Sequence, residues 1–94
     1  LFPTPIDQLC DAEGRPYFLW DVDLTLADFE ARLRDADPDV RAYWTGVLMR
    51  QARPDDAITL AGRPAILEAM PRLTGRLGHT EPFWQWLLAR WQRG

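Results

Sequence analysis

The sequence predicts an all-α protein of four to five short helices, packed as a HEAT-like or orthogonal bundle, with an extended N-terminal arm. Three observations carry that prediction. Pro38, Pro54, Pro64 and Pro82 each stand just inside the start of a stretch with helical periodicity. A helix tolerates proline there because its first backbone N–H groups have no partner within the helix. Only "YFLW" (17–20) could be a strand, and no second alternating run exists to pair with it. Finally, 94 residues, 47% apolar and 27% charged, suffice for one hydrophobic core and not for two. The division that follows is an arm over 1–16 and one helical domain over 17–94.

The elements follow in order. Residues 1–16, "LFPTPIDQLCDAEGRP", hold three prolines and a glycine without helical period, with room for one short turn near Asp7–Cys10. "YFLW" is expected to lie extended over the helices, with Trp20 packed inward. Asp23 and Thr25 are placed to cap a helix over about 25–35. Thr25 and Asp28 stand as a capping box with Asp in place of Glu, and Leu26, Phe29 and Leu33 form its apolar stripe. Asp37 is the next N-cap, followed by Pro38 and by Asp39 at the positive end of the helix dipole. From there Val40, Tyr43, Trp44, Val47 and Leu48 share one broad face of a helix running to about Gln51.

Pro54, Asp55 and Asp56 repeat that start signal, and Gly62 is a natural stop. Pro64 opens "AILEAM", which Pro71 ends or kinks. "RLTGRLG" is a turn-rich connection with room for one helical turn. Thr80 then caps the last helix, "EPFWQWLLARW", in which Trp84, Leu87, Leu88 and Trp91 are expected in the core.

Several chemistries are excluded. "FLWDVDLTL" matches the opening of the nucleophile strand of haloacid-dehalogenase phosphatases, but no βα alternation follows and the usual Gly after the second Asp is Leu24. Asp21 and Asp23 are therefore read as part of a helix start. "DADPDV" mimics half of an EF-hand loop, yet Val40 stands where Gly is needed and Gly46 where the bidentate Glu is needed. His79 with one distant cysteine cannot make a zinc site. All eleven basic residues are Arg, so Walker-type loops and Schiff bases have no lysine to use. We expect no catalytic residue, no cofactor and no metal.

Cys10 is alone, which suits a reducing compartment and a packing role. The apolar runs are far shorter than the ~20 residues a membrane span needs. No signal-peptide pattern opens the chain. A cytoplasmic protein is expected.

Two surfaces remain as candidates. Trp86 falls outside the apolar arc of the last helix, with Arg90 one turn on. Either the helix is buried widely, or the two form a surface cation–π pair with the composition of an interface hot spot. Trp86 and Arg90 are thus the partner-binding candidates. The alternative is a small DNA-binding regulator using Arg72, Arg76, Arg90 and Arg93, with residues 53–70 as a helix-turn-helix. Its weakness is a formal net charge of −3. Charge is uneven: residues 1–47 carry ten acidic side chains and four Arg, and residues 48–94 four acidic and seven Arg. The acidic half suits a basic partner and the basic half suits phosphate.

"FEARLRDADPDVRAYWTGVLMRQ" (29–51) resembles one HEAT-type repeat, a helix, a D-P-x-V-R turn and a second helix, without a second copy. A broader pattern comprises "FLWDVDLTLADFEARL", "DPDVRAYWTGVLMRQARPDD" and "MPRLTGRLG…FWQWLLARW", within roughly 18–91. It is similar to an uncharacterised family of small all-helical prokaryotic proteins, often encoded beside AbiEii-type nucleotidyltransferase toxins. That resemblance implies a cytoplasmic, antitoxin-like accessory with a nucleotidyltransferase as protein partner. It brings no catalytic residues with it.

Overall fold

The computed structural model describes residues 2–93, and the regular elements among them are helices. A single turn, α1 (Ile6–Leu9), lies in the N-terminal arm. The body is α2 (Leu26–Leu33), α3 (Pro38–Gln51), α4 (Pro54–Ala61), α5 (Arg63–Leu73) and α6 (Glu81–Gln92), with a 3-10 turn at Gly78–Thr80 leading into α6. Apart from one bridge between Cys10 and Pro16, no strand pairing occurs among the described residues. The radius of gyration, 12.9 Å, is that of a packed single domain. No helix among the described residues is long and apolar enough to cross a membrane.

The helix starts follow their local chemistry. Thr25 Oγ1 accepts from the Asp28 N–H at 3.2 Å, and Asp37 Oδ1 from the Asp39 N–H at 2.9 Å. Asp23 takes no part in the first cap; its carboxylate instead accepts from Arg15 at 3.4 Å. The final cap also differs from expectation. Thr80 Oγ1 donates back to the Leu77 carbonyl at 2.6 Å, while Glu81 Oε1 gathers the N–H of Gly75 at 2.7 Å and that of Leu77. A carboxylate in the first turn thus orders the preceding loop, which the hydroxyl is too short to reach. Pro71 does not end α5: it sits in the last turn, and the helix continues to Leu73, which is buried.

The core forms around α3, which packs against α2, α4, α5 and the 3-10 turn. Elements on so many sides bury the run Thr45–Met49 without interruption. The one-faced stripe expected for α3 therefore fails at Tyr43, which is 60% exposed. Gly46 allows the approach of α5, since a Cβ there would lie 2.7 Å from Leu73 Cδ2. Gly62 at φ +86° makes a one-residue joint between α4 and α5, a conformation that favours glycine. A helix-turn-helix uses about three or four residues at that place, so residues 53–70 do not form one.

The arm belongs to the globule. Leu9 and Pro16 are buried, and the chain then turns twice, through Leu19 N–H to Pro16 carbonyl and Val22 N–H to Leu19 carbonyl. These turns send Phe18 and Leu19 inward together and leave Trp20 71% exposed, the reverse of the inward Trp20 expected for an extended segment over the helices.

Candidate functional site

α6 is fixed on its inner side. Trp84 is buried and donates its indole N–H to the Met49 carbonyl at 3.0 Å. That carbonyl lies in the last turn of α3, where no further helical N–H is available to it. Leu88 is buried beside it, and Arg63 stacks over the half-buried Trp91 at 4.9 Å. With that face locked, Phe83, Trp86 and Arg90 point outward along one stripe. Trp86 is 56% exposed, and its ring centre lies 6.2 Å from Phe83 and 5.1 Å from the Arg90 guanidinium carbon. Of the two arrangements that the sequence leaves open for Trp86, this is the surface cation–π pair. At an exposed site such a pair contributes about 0.5–1 kcal/mol, enough to favour one orientation of the indole.

The arginines of the alternative reading are not all gathered. Arg72 and Arg76 line one groove of about 380 Å³ together with Arg50, Asp39 and Tyr43. Arg72 Nε donates to Asp39 Oδ1 at 2.8 Å, and Arg50 Nη1 to the Arg76 carbonyl at 3.2 Å. Arg90 is engaged with Trp86, and Arg93 is an exposed residue at the end of α6 outside that lining. Arg50 was missed by local reading, because only the tertiary approach of α5 brings it to the groove.

A third cluster was also missed. The Asp56 carboxylate, 2% exposed, accepts from the Thr4 N–H, the Thr4 hydroxyl and the Tyr17 hydroxyl, each at 2.6 Å. Tyr17 in turn accepts from the Arg53 N–H at 2.8 Å, and Arg53 Nη1 donates to Thr4 Oγ1 at 3.0 Å. Burial pushes the Asp56 carboxyl up, but the bonds from Thr4 and Tyr17 and the charge of Arg53 hold it below its ordinary value. Burial and the bond to Asp56 push the Tyr17 phenol up, so it remains a donor. The Asp56 carboxylate is thus occupied in tying the arm to α4.

Asp21 lies exposed in a turn rather than at a strand end. The Cys10 thiol is pushed up by burial and by the charges of Asp11 and Glu30, which keeps it protonated near neutral pH. Among the described residues no three His, Cys, Asp or Glu side chains converge as a metal site. Comparison of the chain with protein-family models, curated proteins and solved structures finds no match in any of the three.

Proposed function

We propose that the chain is a protein–protein interaction module whose contact surface is the outer face of α6, centred on Trp86 and Arg90. The observation that carries this reading is a half-exposed Trp86, flanked by Phe83 and Arg90, on a helix locked by its opposite face. A ring held in this way gives up little freedom on binding. Burying a whole Trp covers up to ~250 Å², so the exposed 56% offers about 140 Å². At ~25 cal/mol per Å² that is at most about 3–4 kcal/mol before the costs of association, an upper bound that reaches the range of an interface hot spot. The module acts by occlusion, and the acidic N-terminal half steers a basic partner towards it. The partner we propose is a nucleotidyltransferase, with the chain as its antitoxin-like accessory, a reading that rests on the pattern resemblance within roughly 18–91 alone.

Affinity capture from the native host, with nuclease treatment and with a Trp86→Ala variant alongside, tests the proposal. A stoichiometric protein that resists nuclease and is lost on Trp86→Ala is the expected result. Equal retention by the folded variant, or no protein at all, refutes it. A second reading, a DNA-binding regulator, draws on the convergence of Arg72 and Arg76 in one groove. Its signature would be duplex binding that falls steeply with salt.

A further inference from the structure

The groove between α3 and α5 collects like charges that the sequence keeps apart. Its charged lining is Arg50, Arg72, Arg76 and Asp39, three guanidinium groups against one carboxylate. The excess of two positive charges stands in a chain whose formal net charge is −3. Most other arginines are spent on partners: Arg41 on Glu68 at 2.9 Å, Arg15 on Asp11 and Glu13, Arg63 and Arg90 on Trp rings. The Arg76 guanidinium has no hydrogen-bonding or ion-pair partner among the described residues, and Arg50 meets a carbonyl but no carboxylate. Arg72 engages Asp39 through Nε, on a carboxylate whose side chain is 81% exposed. Unbalanced guanidinium groups repel one another unless an anion sits among them.

We propose that this groove binds a small phosphate ester of mononucleotide size, with Arg50, Arg72 and Arg76 on the phosphate and Tyr43 against the rest of the ligand. Charge selects the headgroup: a phosphomonoester carries about −1.5 to −2 near pH 7, matching the excess, and planar guanidinium forks suit its oxygens. Size selects the remainder, since about 380 Å³ falls within the range of small-molecule sites and leaves room beyond one phosphate. Tyr43 supplies an aromatic wall: it is 60% exposed and braced edge-to-face on Trp44 at 5.0 Å. Asp39 competes with the ligand for Arg72.

The test is calorimetric titration of the full chain with AMP, inorganic phosphate and a short oligothymidylate, backed by NMR of the arginine Nε–H signals. AMP should bind saturably and more tightly than phosphate, shifting the signals of Arg50, Arg72 and Arg76. Arg50→Gln and Arg76→Gln should each weaken it roughly ten- to hundredfold, the loss of one charge-assisted bond. Arg93→Gln should leave it unchanged. Asp39→Asn should tighten AMP binding several-fold by freeing Arg72, a gain that a merely structural role for these residues would not produce. Thermal melts of every variant separate lost binding from lost fold. No saturable binding of AMP, or equal binding by a folded Arg50→Gln/Arg76→Gln double variant, overturns the proposal. So does an oligothymidylate far tighter than AMP with a multi-phosphate salt slope, which would make the groove a nucleic-acid track.

Discussion

Replacing Asp56 by Asn tests whether the N-terminal arm is held by one buried carboxylate. Three donors reach that carboxylate at 2.6 Å, from Thr4 N–H, Thr4 Oγ1 and Tyr17 Oη. Bonds to a charged acceptor contribute about 1.5–3 kcal/mol each, or about 4.5–9 kcal/mol in all. Ordering residues 2–4 of the arm opposes this by about 1–2 kcal/mol per residue, or about 3–6 kcal/mol. At the middle of the two ranges the difference, about 2 kcal/mol, is the expected loss, out of a total stability of about 5–14 kcal/mol for a domain of this size. Urea unfolding of wild type and Asp56→Asn at neutral pH measures it. The folded-state pKa of Asp56 is depressed below its ordinary 3.8. Its contribution is therefore fully present above that ordinary value and is lost as pH falls through the folded value. The gap between the two proteins should be flat from about pH 5 to 8 and close in acid. A gap under about 0.5 kcal/mol at pH 7, or one that widens in acid, refutes the argument.

Three further outcomes follow from the packing. Trp84→Phe removes the indole N–H from the Met49 carbonyl and part of a buried ring, and should lower stability by about 2–4 kcal/mol in the same urea assay. Gly46→Ala gains about 1 kcal/mol of helix propensity but drives a Cβ to 2.7 Å from Leu73 Cδ2. We expect a net loss of about 1 kcal/mol, relieved when Leu73→Val is combined with it in a double-mutant cycle. Cys10, half-buried with its thiol pushed up, should react with a thiol reagent at pH 7 at least about tenfold more slowly than in the urea-unfolded chain, followed by absorbance.

The helical class and most helix starts were legible because their signals are local. Asp37 caps the residue two along, Thr25 the residue three along, and proline acts on its own turn. What failed was the direction of side chains wherever a second element decides it. Thr45–Met49 are buried on every side because several elements meet α3. Trp20 is turned out because two consecutive turns, rather than a strand, carry Phe18 and Leu19 inward. Periodicity reports the faces of one helix or strand and is silent about how many neighbours that element has.

The same distinction separates the candidate surfaces. Trp86 and Arg90 are one turn apart on one helix, so their pairing could be read from spacing. The Asp56 bonds to Thr4 and Tyr17 span 52 and 39 residues, and the Arg72–Asp39 and Arg50–Arg76 contacts span 33 and 26. No window along the chain contains both ends of such a contact. Counting arginines by segment accordingly placed Arg90 and Arg93 with Arg72 and Arg76, whereas the fold sorts them by what they touch. Arg90 belongs to an aromatic contact face, and Arg72 and Arg76 join Arg50 in a groove whose charge excess resides in three side chains. A chain of net negative charge can thus carry a site for an anion, because net charge averages over arginines already neutralised by Asp11, Glu13 and Glu68.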